Sequence, residues 1–465
     1  MFKKVIILLL LLGVLLLGNY LREYSYATVP HPGETADEYG FAWAGLSLIE
    51  KGIPESWTTL GNIYPKIESK IINVDNLYDK NVIRIPFTMV EPWFEKPPLF
   101  PLLIGGYSYL KNARLYAQTS TGIIRRPMLK IAILTSILIF WLASRWYGYG
   151  VGLLSVFLYS IIPTFVISSR LAISENGYTP LYLASLISID YFLANKKRIY
   201  LIISALLAGI GILVKIPAVV IMISLIFILL KRVRLKNNLR NILLISIVGF
   251  SGFLLFAVYG YFLGWGTFVK VFLTQNRYFY GAGSESFFSV LVQSKVAIKN
   301  LTDGWILLGW MAAFYIAVTE WKNNRGGTIL SICLFSYLIV FLYFGNEAYG
   351  WYRFPFFPFL AIALAKVFKE LWEKRNLYVF TILSLLPFGT GFQRIFGQLG
   401  FQPIVIYFRL AILFLALLFF VRLVTKGRWI NRVERVAMVL VFSLLVYISI
   451  REIIFLNYDH WFFVT

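Results

Sequence analysis

Cysteine is almost missing from this chain of 465 residues: Cys333 stands alone, inside an apolar run. One cysteine builds neither a disulfide framework nor a Cys-based metal site. Charge is scarce as well. Charged residues make up 14% of the chain and hydrophobic ones 59%, which leaves too little polar surface to cover the core of a water-soluble protein of this length. The charge that is present is mostly of one sign, 44 Lys and Arg against 22 Asp and Glu, a formal net charge of +22. In a soluble protein that excess would raise nucleic acid as a partner. Here no basic-aromatic module accompanies it, and no nucleic-acid partner is expected. The sequence also lacks a Gly-rich phosphate loop, a Walker sequence and a soluble α/β domain able to hold a nucleotide. Proline- or serine-rich linkers, low-complexity tracts and solenoid repeats are likewise missing.

What the chain has instead is apolar runs, near 5–21, 128–146, 150–168, 177–194, 241–263, 305–320, 328–345, 353–368, 376–391, 402–421 and 436–456. The stretch 200–231 reads as two helices broken at Lys215-Ile216-Pro217, because one helix of that length would measure ~48 Å and overshoot a bilayer. The expectation is an all-α polytopic membrane protein of about thirteen spans. Aromatic residues, at 18%, suit interfacial belts at the helix ends.

Basic residues set the orientation. With Lys3 and Lys4 inside, the inner loops carry Arg145; Lys196, Lys197 and Arg198; Lys231, Arg232, Arg234, Lys236 and Arg240; Lys322 and Arg325; Lys366, Lys369, Lys374 and Arg375; and Arg422, Lys426, Arg428, Arg432 and Arg435. This register holds only if Pro98–Leu110, apolar but short and containing Pro101 and a Gly pair, lies along the outer surface as an interfacial helix. The expected organisation is a first transmembrane helix at 1–21, an external segment at 22–127, spans two to seven in 128–263, a second external segment at 264–304, and spans eight to thirteen in 305–465. Residues 1–21 also fit a signal peptide cleaved near Ser25-Tyr26-Ala27; the retained span is preferred because the run continues toward Leu21. Either way the next segment is external.

Five constellations gather on that outer face. Asp37 and Glu38 open an amphipathic stretch, EYGFAWAGLSLIEKG; taken alone, a plain helix N-cap is the preferred account of Asp37. Glu95 and Lys96 lie in Trp93-Phe94-Glu95-Lys96-Pro97-Pro98, where two prolines stiffen the backbone, although a snorkelling lysine beside a surface carboxylate would look the same. Arg170 and Glu175 sit at the outer end of the third span, Lys215 at the helix break, and Arg353 in Tyr349-Gly350-Trp351-Tyr352-Arg353. Each alone reads as a routine interfacial charge; their convergence on one face does not. A channel or transporter would concentrate polar residues at mid-span, and this chain places few there. An enzyme with its polar segments outside draws its activated substrate from the membrane, and a lipid phosphate suits that need.

These elements together resemble the GT-C fold glycosyltransferases: the external Asp-Glu pair, the FEKPP element, the Arg and Glu near the third span, the Lys-x-Pro break, and the Tyr-Arg run ending in Pro355 and Pro358. They are most similar to the aminoarabinose transferase and protein O-mannosyltransferase group. The resemblance covers roughly residues 1–230 and thins afterwards to the Arg353 region. It implies transfer of a sugar, hexosyl or pentosyl, from a polyprenyl-phosphate donor to an acceptor (lipid, polysaccharide or protein) outside the cytoplasm, by an enzyme of the plasma membrane. By the resemblance, Asp37 matches the carboxylate near the acceptor with Glu38 beside it, and Glu95 and Lys96 match the element that meets a metal ion and the donor phosphate. Glu175 stands where the group usually has Asp. Family members differ in metal use, so a divalent metal at Glu95 is one option and no cofactor is required.

The chemistry expected is a single displacement that inverts the anomeric carbon. Asp37 would be the base, and Lys96, helped by Lys215 or Arg353, would hold the donor phosphate, with Arg170 and Glu175 in support. Arg409, within the twelfth span, and Arg451, near the outer end of the last, are weaker cationic candidates. The competing readings are a lipid-linked oligosaccharide flippase or transporter and a non-catalytic partner in envelope assembly.

Overall fold

Runs of Leu, Ile, Val and Phe can satisfy their backbone inside lipid only as helices, and the described residues of the apolar stretches named above are helical apart from a few at their ends and the breaks at Ile162 and Lys215. In the computed structural model, residues 2–74, 83–232, 235–275, 289–293, 295–297, 299–344, 349–396, 402–424 and 428–462 are described. The chain opens with α1 (Phe2–Glu23) and then builds α2 (Asp37–Lys51), β1 (Ser56–Trp57), β2 (Ile67–Val74), β3 (Ile83–Val90) and α3 (Leu99–Leu110). The bundle continues with α4 (Thr121–Tyr147), α5 (Tyr149–Ile161), α6 (Pro163–Ser168), α7 (Ser174–Asn195), α8 (Arg198–Val214), α9 (Val219–Arg232) and α10 (Leu235–Gln275). Its second half comprises α11 (Gly304–Glu320), α12 (Arg325–Phe344), α13 (Phe357–Glu373), α14 (Leu377–Phe396), α15 (Gln402–Val424), α16 (Arg428–Phe455) and the short α17 (Tyr458–Phe462).

By length and composition, six helices could each cross a bilayer: Lys3–Glu23, Thr121–Tyr147, Asn238–Gln275, Arg325–Tyr343, Leu377–Phe396 and Arg432–Phe455. Their outward side chains include large apolar ones, among them Leu8 and Leu16 on α1, Leu254 and Phe262 on α10, and Leu440 on α16. Such a surface suits lipid rather than water. This is a multi-pass membrane protein.

The charged ends of the helices group as the basic pattern groups them. Arg145 and Arg325, both assigned to the inner face, meet at one carboxylate: Asp190 Oδ2 lies 2.6 Å from Arg145 Nη2, and Asp190 Oδ1 lies 2.7 Å from Arg325 Nη2. Lys366 of the same face pairs with Glu370 at 2.6 Å and Glu320 at 3.3 Å. Arg234 and Lys426, assigned to inner loops, lie outside the described residues, as do positions 276–288 of the second external segment.

Four local features differ from the sequence expectation or add to it. The third apolar run is two helices, because Pro163 takes the first position of α6 and Ile162 is extended. The expected span at 241–263 is the middle of a longer helix, α10, with non-helical backbone at Gly264. The stretch expected to be amphipathic, α2, has residues from Glu38 to Ser47 all buried. Residues 22–127 enclose it by folding a three-stranded antiparallel sheet, order β1-β3-β2, against it and laying α3 across it. Two glycines make that crossing fit: a Cβ on Gly45 would stand 1.8 Å from the Pro101 carbonyl oxygen, and one on Gly105 would stand 2.4 Å from the Gly45 carbonyl carbon. On α3, Phe100, Ile104 and Ser108 are buried while Leu99, Leu103 and Leu110 are exposed, so its free face is apolar, as an interfacial helix requires.

Candidate active site

The start of α2 separates Asp37 from the capping role. Ala36 is the cap residue, without a side-chain cap bond, and Asp37 is the first residue of the helix. Its half-buried carboxylate sits instead in a field of charged neighbours. Burial raises its proton affinity above the usual aspartate range; Lys96 and Lys215 pull the other way, and Glu175 and Glu38 add to the rise. Three of the sequence constellations thus converge on one carboxylate.

Lys96 and Glu95 are carried to this point by the aromatic residues before them. Phe94 meets Phe268 and Tyr259 of α10 edge-on at 5.6 and 6.3 Å, and Trp93 meets Phe41 of α2 edge-on at 6.4 Å. The short segment is clamped between α2 and α10. Glu95 Oε1 accepts a hydrogen bond from the Thr58 hydroxyl, so the end of β1 also steadies it. Burial raises the Glu95 proton affinity, opposed by Lys96 and Thr58 and reinforced by Asp37. Lys96 therefore acts on both carboxylates.

The break between α8 and α9 delivers Lys215. Pro217 cannot continue α8, Lys215 is extended, and Ile216–Ala218 form a single 3-10 turn. The buried ammonium pairs with Glu175 at the start of α7 and lies 4.5 Å from the centre of the Tyr352 ring. Tyr352 in turn feels Lys96, Glu175 and Asp37. Tyr352, named from the sequence only as part of the run around Arg353, is thus a member of the cluster.

Glu38 has a different environment from Asp37. It is fully buried and bonded to Arg125, with Nη2 to Oε2 at 2.7 Å and Nε to Oε1 at 2.9 Å. The backbone N–H of Ala172 donates to Oε1 at 2.7 Å, and the Thr35 hydroxyl donates to Oε2. Those bonds use the acceptor capacity of the carboxylate, which differs in this from the catalytic role expected for Glu38 beside Asp37. Arg125 donates further to the carbonyls of Tyr26 and Pro30, both at 2.9 Å. Arg125 is not singled out by the sequence, because it stands in the first turns of α4 with no motif around it.

Arg170 is buried and donates to the Leu21 carbonyl at 2.8 Å and the Val29 carbonyl at 3.4 Å. Glu175, five positions after Arg170 in sequence, pairs with Lys215. Arg353, also buried, donates to the Ser289 hydroxyl at 2.6 Å and the Tyr349 carbonyl at 3.2 Å. Arg409 and Arg451 are on exposed faces of α15 and α16. Among the described residues, no three His, Cys, Asp or Glu side chains gather as metal ligands. Asp37 and Glu95 act on each other, and two carboxylates suit a hard ion such as Mg²⁺ that keeps waters and takes substrate phosphate oxygens. By the family resemblance, Glu95 is the residue that would hold a metal.

The helical bundle that carries this cluster is similar in fold to solved structures. The whole bundle is similar to ArnT from Cupriavidus metallidurans, in the apo state, with a TM-score of 0.56 at 14% identity, covering 98% of this chain and 78% of that one. It is similar also to ArnT from the same organism bound to undecaprenyl phosphate, with a TM-score of 0.53 at 15% identity, covering 96% and 77%. The archaeal oligosaccharyltransferase AglB from Archaeoglobus fulgidus, in complex with an inhibitory peptide and a dolichol-phosphate, matches with a TM-score of 0.56 at 11% identity; 97% of this chain covers 56% of that one. The fold is GT-C. Within it, residues 95–262 match the dolichyl-phosphate-mannose-protein mannosyltransferase family, a range that holds Glu95, Lys96, Arg170, Glu175 and Lys215 but neither Asp37 nor Arg353. A comparison with curated protein sequences gave no match.

Proposed function

We propose that this GT-C protein transfers a sugar from a polyprenyl-phosphate donor to an acceptor on the extracytoplasmic side of the plasma membrane, with inversion at the anomeric carbon. The observation that carries the reading is the setting of Asp37: a carboxylate at a helix start that caps nothing, placed among Lys96, Lys215 and Glu175. Two of the similar structures, ArnT bound to undecaprenyl phosphate and AglB in complex with a dolichol-phosphate, support a lipid-phosphate donor. The outer location rests on the basic clusters at the opposite ends of the helices.

In the proposed step the acceptor hydroxyl attacks the anomeric carbon, the bond from that carbon to the phosphate oxygen breaks, and the phosphate leaves on its lipid. The leaving group needs no acid. Charge builds on its oxygens as the bond breaks, and preorganised cations stabilise it there; Lys96 and Lys215 fill that role, with Arg353 as a further clamp. Asp37 takes the proton of the attacking hydroxyl. A raised proton affinity suits the task, because it makes the ionised carboxylate a stronger base. Glu175 holds the Lys215 ammonium, Arg170 holds the chain at Leu21 and Val29, and Glu38 locks α2 to α4 and the start of α7.

Asp37→Asn tests the assignment in purified, reconstituted protein. A helix cap would survive the change, since Asn caps as well as Asp; the base would not, and turnover should fall roughly 10²–10⁴-fold with normal folding. In the wild type, turnover should decline on the acid side at a pH above the usual aspartate range, as Asp37 takes up its proton. Turnover of the Asn variant within a few-fold of wild type would return Asp37 to a structural role.

A further inference from the structure

Asp37 and Arg353 belong to segments more than three hundred residues apart, and the contact between those segments runs through neither residue. Three residues before Arg353, Gly350 donates its N–H to the Ala297 carbonyl at 2.7 Å. The approach is tight: a Cβ on Gly350 would stand 2.3 Å from the Lys295 carbonyl oxygen. Three residues before Asp37, Glu34 Oε1 accepts the indole N–H of Trp461 at 3.1 Å. The two anchor points meet at residues 295–297 and 299–300, where Val296 and Ala297 are fully buried. Lys299, among these residues, donates to the Trp461 carbonyl at 3.1 Å and stands 3.9 Å from Glu34 Oε1. Trp461 is buried although it belongs to a helix of five residues.

We propose that Glu34, Lys299 and Trp461 form a clasp that sets the separation between the Asp37 arm and the Arg353 arm of the site. The inference rests on the sugar-transfer reading for its kinetic consequence and on the geometry alone for its existence. The clasp has three strands of evidence in one place: a buried indole spent on one carboxylate, a lysine bridging that carboxylate to the indole's own backbone, and the lysine's neighbours at 295–297 seated against Gly350. Glu34 is joined to α2 by a short, bonded path. Its neighbour Thr35 donates to Glu38 through the side chain and accepts the Glu38 N–H at 2.9 Å through its carbonyl. A displacement at Glu34 therefore reaches the first turn of α2, where Asp37 sits. Since a misplacement of about 1 Å costs on the order of 10²-fold in a preorganised site, loosening the clasp should slow the chemical step more than donor binding. These three are positioning residues; none touches the reacting atoms.

The test uses Trp461→Phe, which keeps a buried aromatic ring but removes the N–H together with part of the indole's volume, and Glu34→Gln, which keeps the shape and the acceptor oxygen for Trp461 and removes the charge that attracts Lys299. Hydrogen exchange followed by mass spectrometry on the full-length protein should show faster exchange in both 31–40 and 349–356 for either variant, with α7 and α13 unchanged. In reconstituted assays, kcat should fall about tenfold or more with the donor KM within twofold, and the double variant should be little worse than either single one. If only the 457–462 end loosens while both arms keep their protection, the clasp is refuted. If kcat per folded molecule stays at wild type, the positioning role is refuted as well. Absence of sugar transfer by the wild type would overturn the functional reading instead, and the exchange pattern would still decide the clasp.

Discussion

Replacing Glu38 by Gln, or Arg125 by Met, would leave one half of a wholly buried ion pair without its partner. Breaking such a pair costs about 3–5 kcal/mol, so each single variant should melt markedly lower in detergent, and the double variant should recover part of the loss in a thermal-shift cycle. Lys96→Ala belongs to the other class of residue: it should fold normally, yet bind donor more weakly and turn over more slowly, as equilibrium binding and single-turnover measurements on purified protein would show. If both stay unchanged, the phosphate assignment fails. The two neighbours Asp37 and Glu38 would then separate by experiment as they do by environment, the first in activity and the second in stability. At this scale the sequence singles out Asp37, Lys96, Glu175 and Lys215, which the fold brings near one another, because each lies beside a proline, a helix start or a helix break. It does not show who pairs with whom. Glu175 stands five positions from Arg170 but meets Lys215, forty positions away, and Arg125 carries no motif that distinguishes it from any basic residue at a helix end.

Between residue and molecule stand elements whose presence the pattern of apolar runs foretells, and one that it hides. The break at Lys215-Ile216-Pro217 is legible because a bilayer limits helix length and proline stops a helix. The sheet is not. Its strands, IESKIINV and IRIPFTMV, are short and mixed, and Pro86 argues against a central strand. The reconciliation is that β1 reaches only Met89 and Val90 of β3, so at Pro86 the strand has an open edge on that side. Glu55, just before β1, ties the sheet to its surroundings. Burial pushes its proton affinity up, but Lys51 at 2.5 Å, Lys70 and the Tyr116 hydroxyl at 2.8 Å outweigh that and hold its pKa down to about 2. A carboxylate depressed on folding contributes stability above its unfolded pKa, near 4.5, and loses it as pH falls toward 2. Limited proteolysis of the 52–95 region should therefore accelerate between pH 4.5 and pH 2 in the wild type. Glu55→Gln should open that region already at neutral pH and lose the acid dependence.

For the molecule as a whole, the distribution of charge makes a claim about sides. We propose thirteen crossings with the N-terminus inside and residues 22–127 outside. In a Cys333→Ser background, single cysteines at Arg232 or Arg428 should resist a membrane-impermeant thiol reagent in intact cells, and one at Lys66 should react. Labelling of the first two from outside would refute the arrangement. The helical bundle was legible from apolar length alone, and the grouping of charged ends from the positive-inside bias. The packing of residues 22–127 around α2 was not, since it depends on two glycines, Gly45 and Gly105, whose meeting no periodicity announces.

The arginines near the top of the bundle also bear on how such a chain is made. Arg22 donates to Ser169 and the Tyr159 carbonyl, and Arg170 to Leu21, across 137 to 149 residues of sequence. At translation rates of roughly 5–20 residues per second, the end of α1 waits about 7 to 30 s for those partners to leave the ribosome. Through that interval a guanidinium at the edge of the bilayer has only water and lipid headgroups to satisfy it, which anchors the nascent helix at the surface and delays its docking. Chains arrested before residue 159 would keep that arginine exposed, a mark by which quality control could tell an unfinished chain from a finished one.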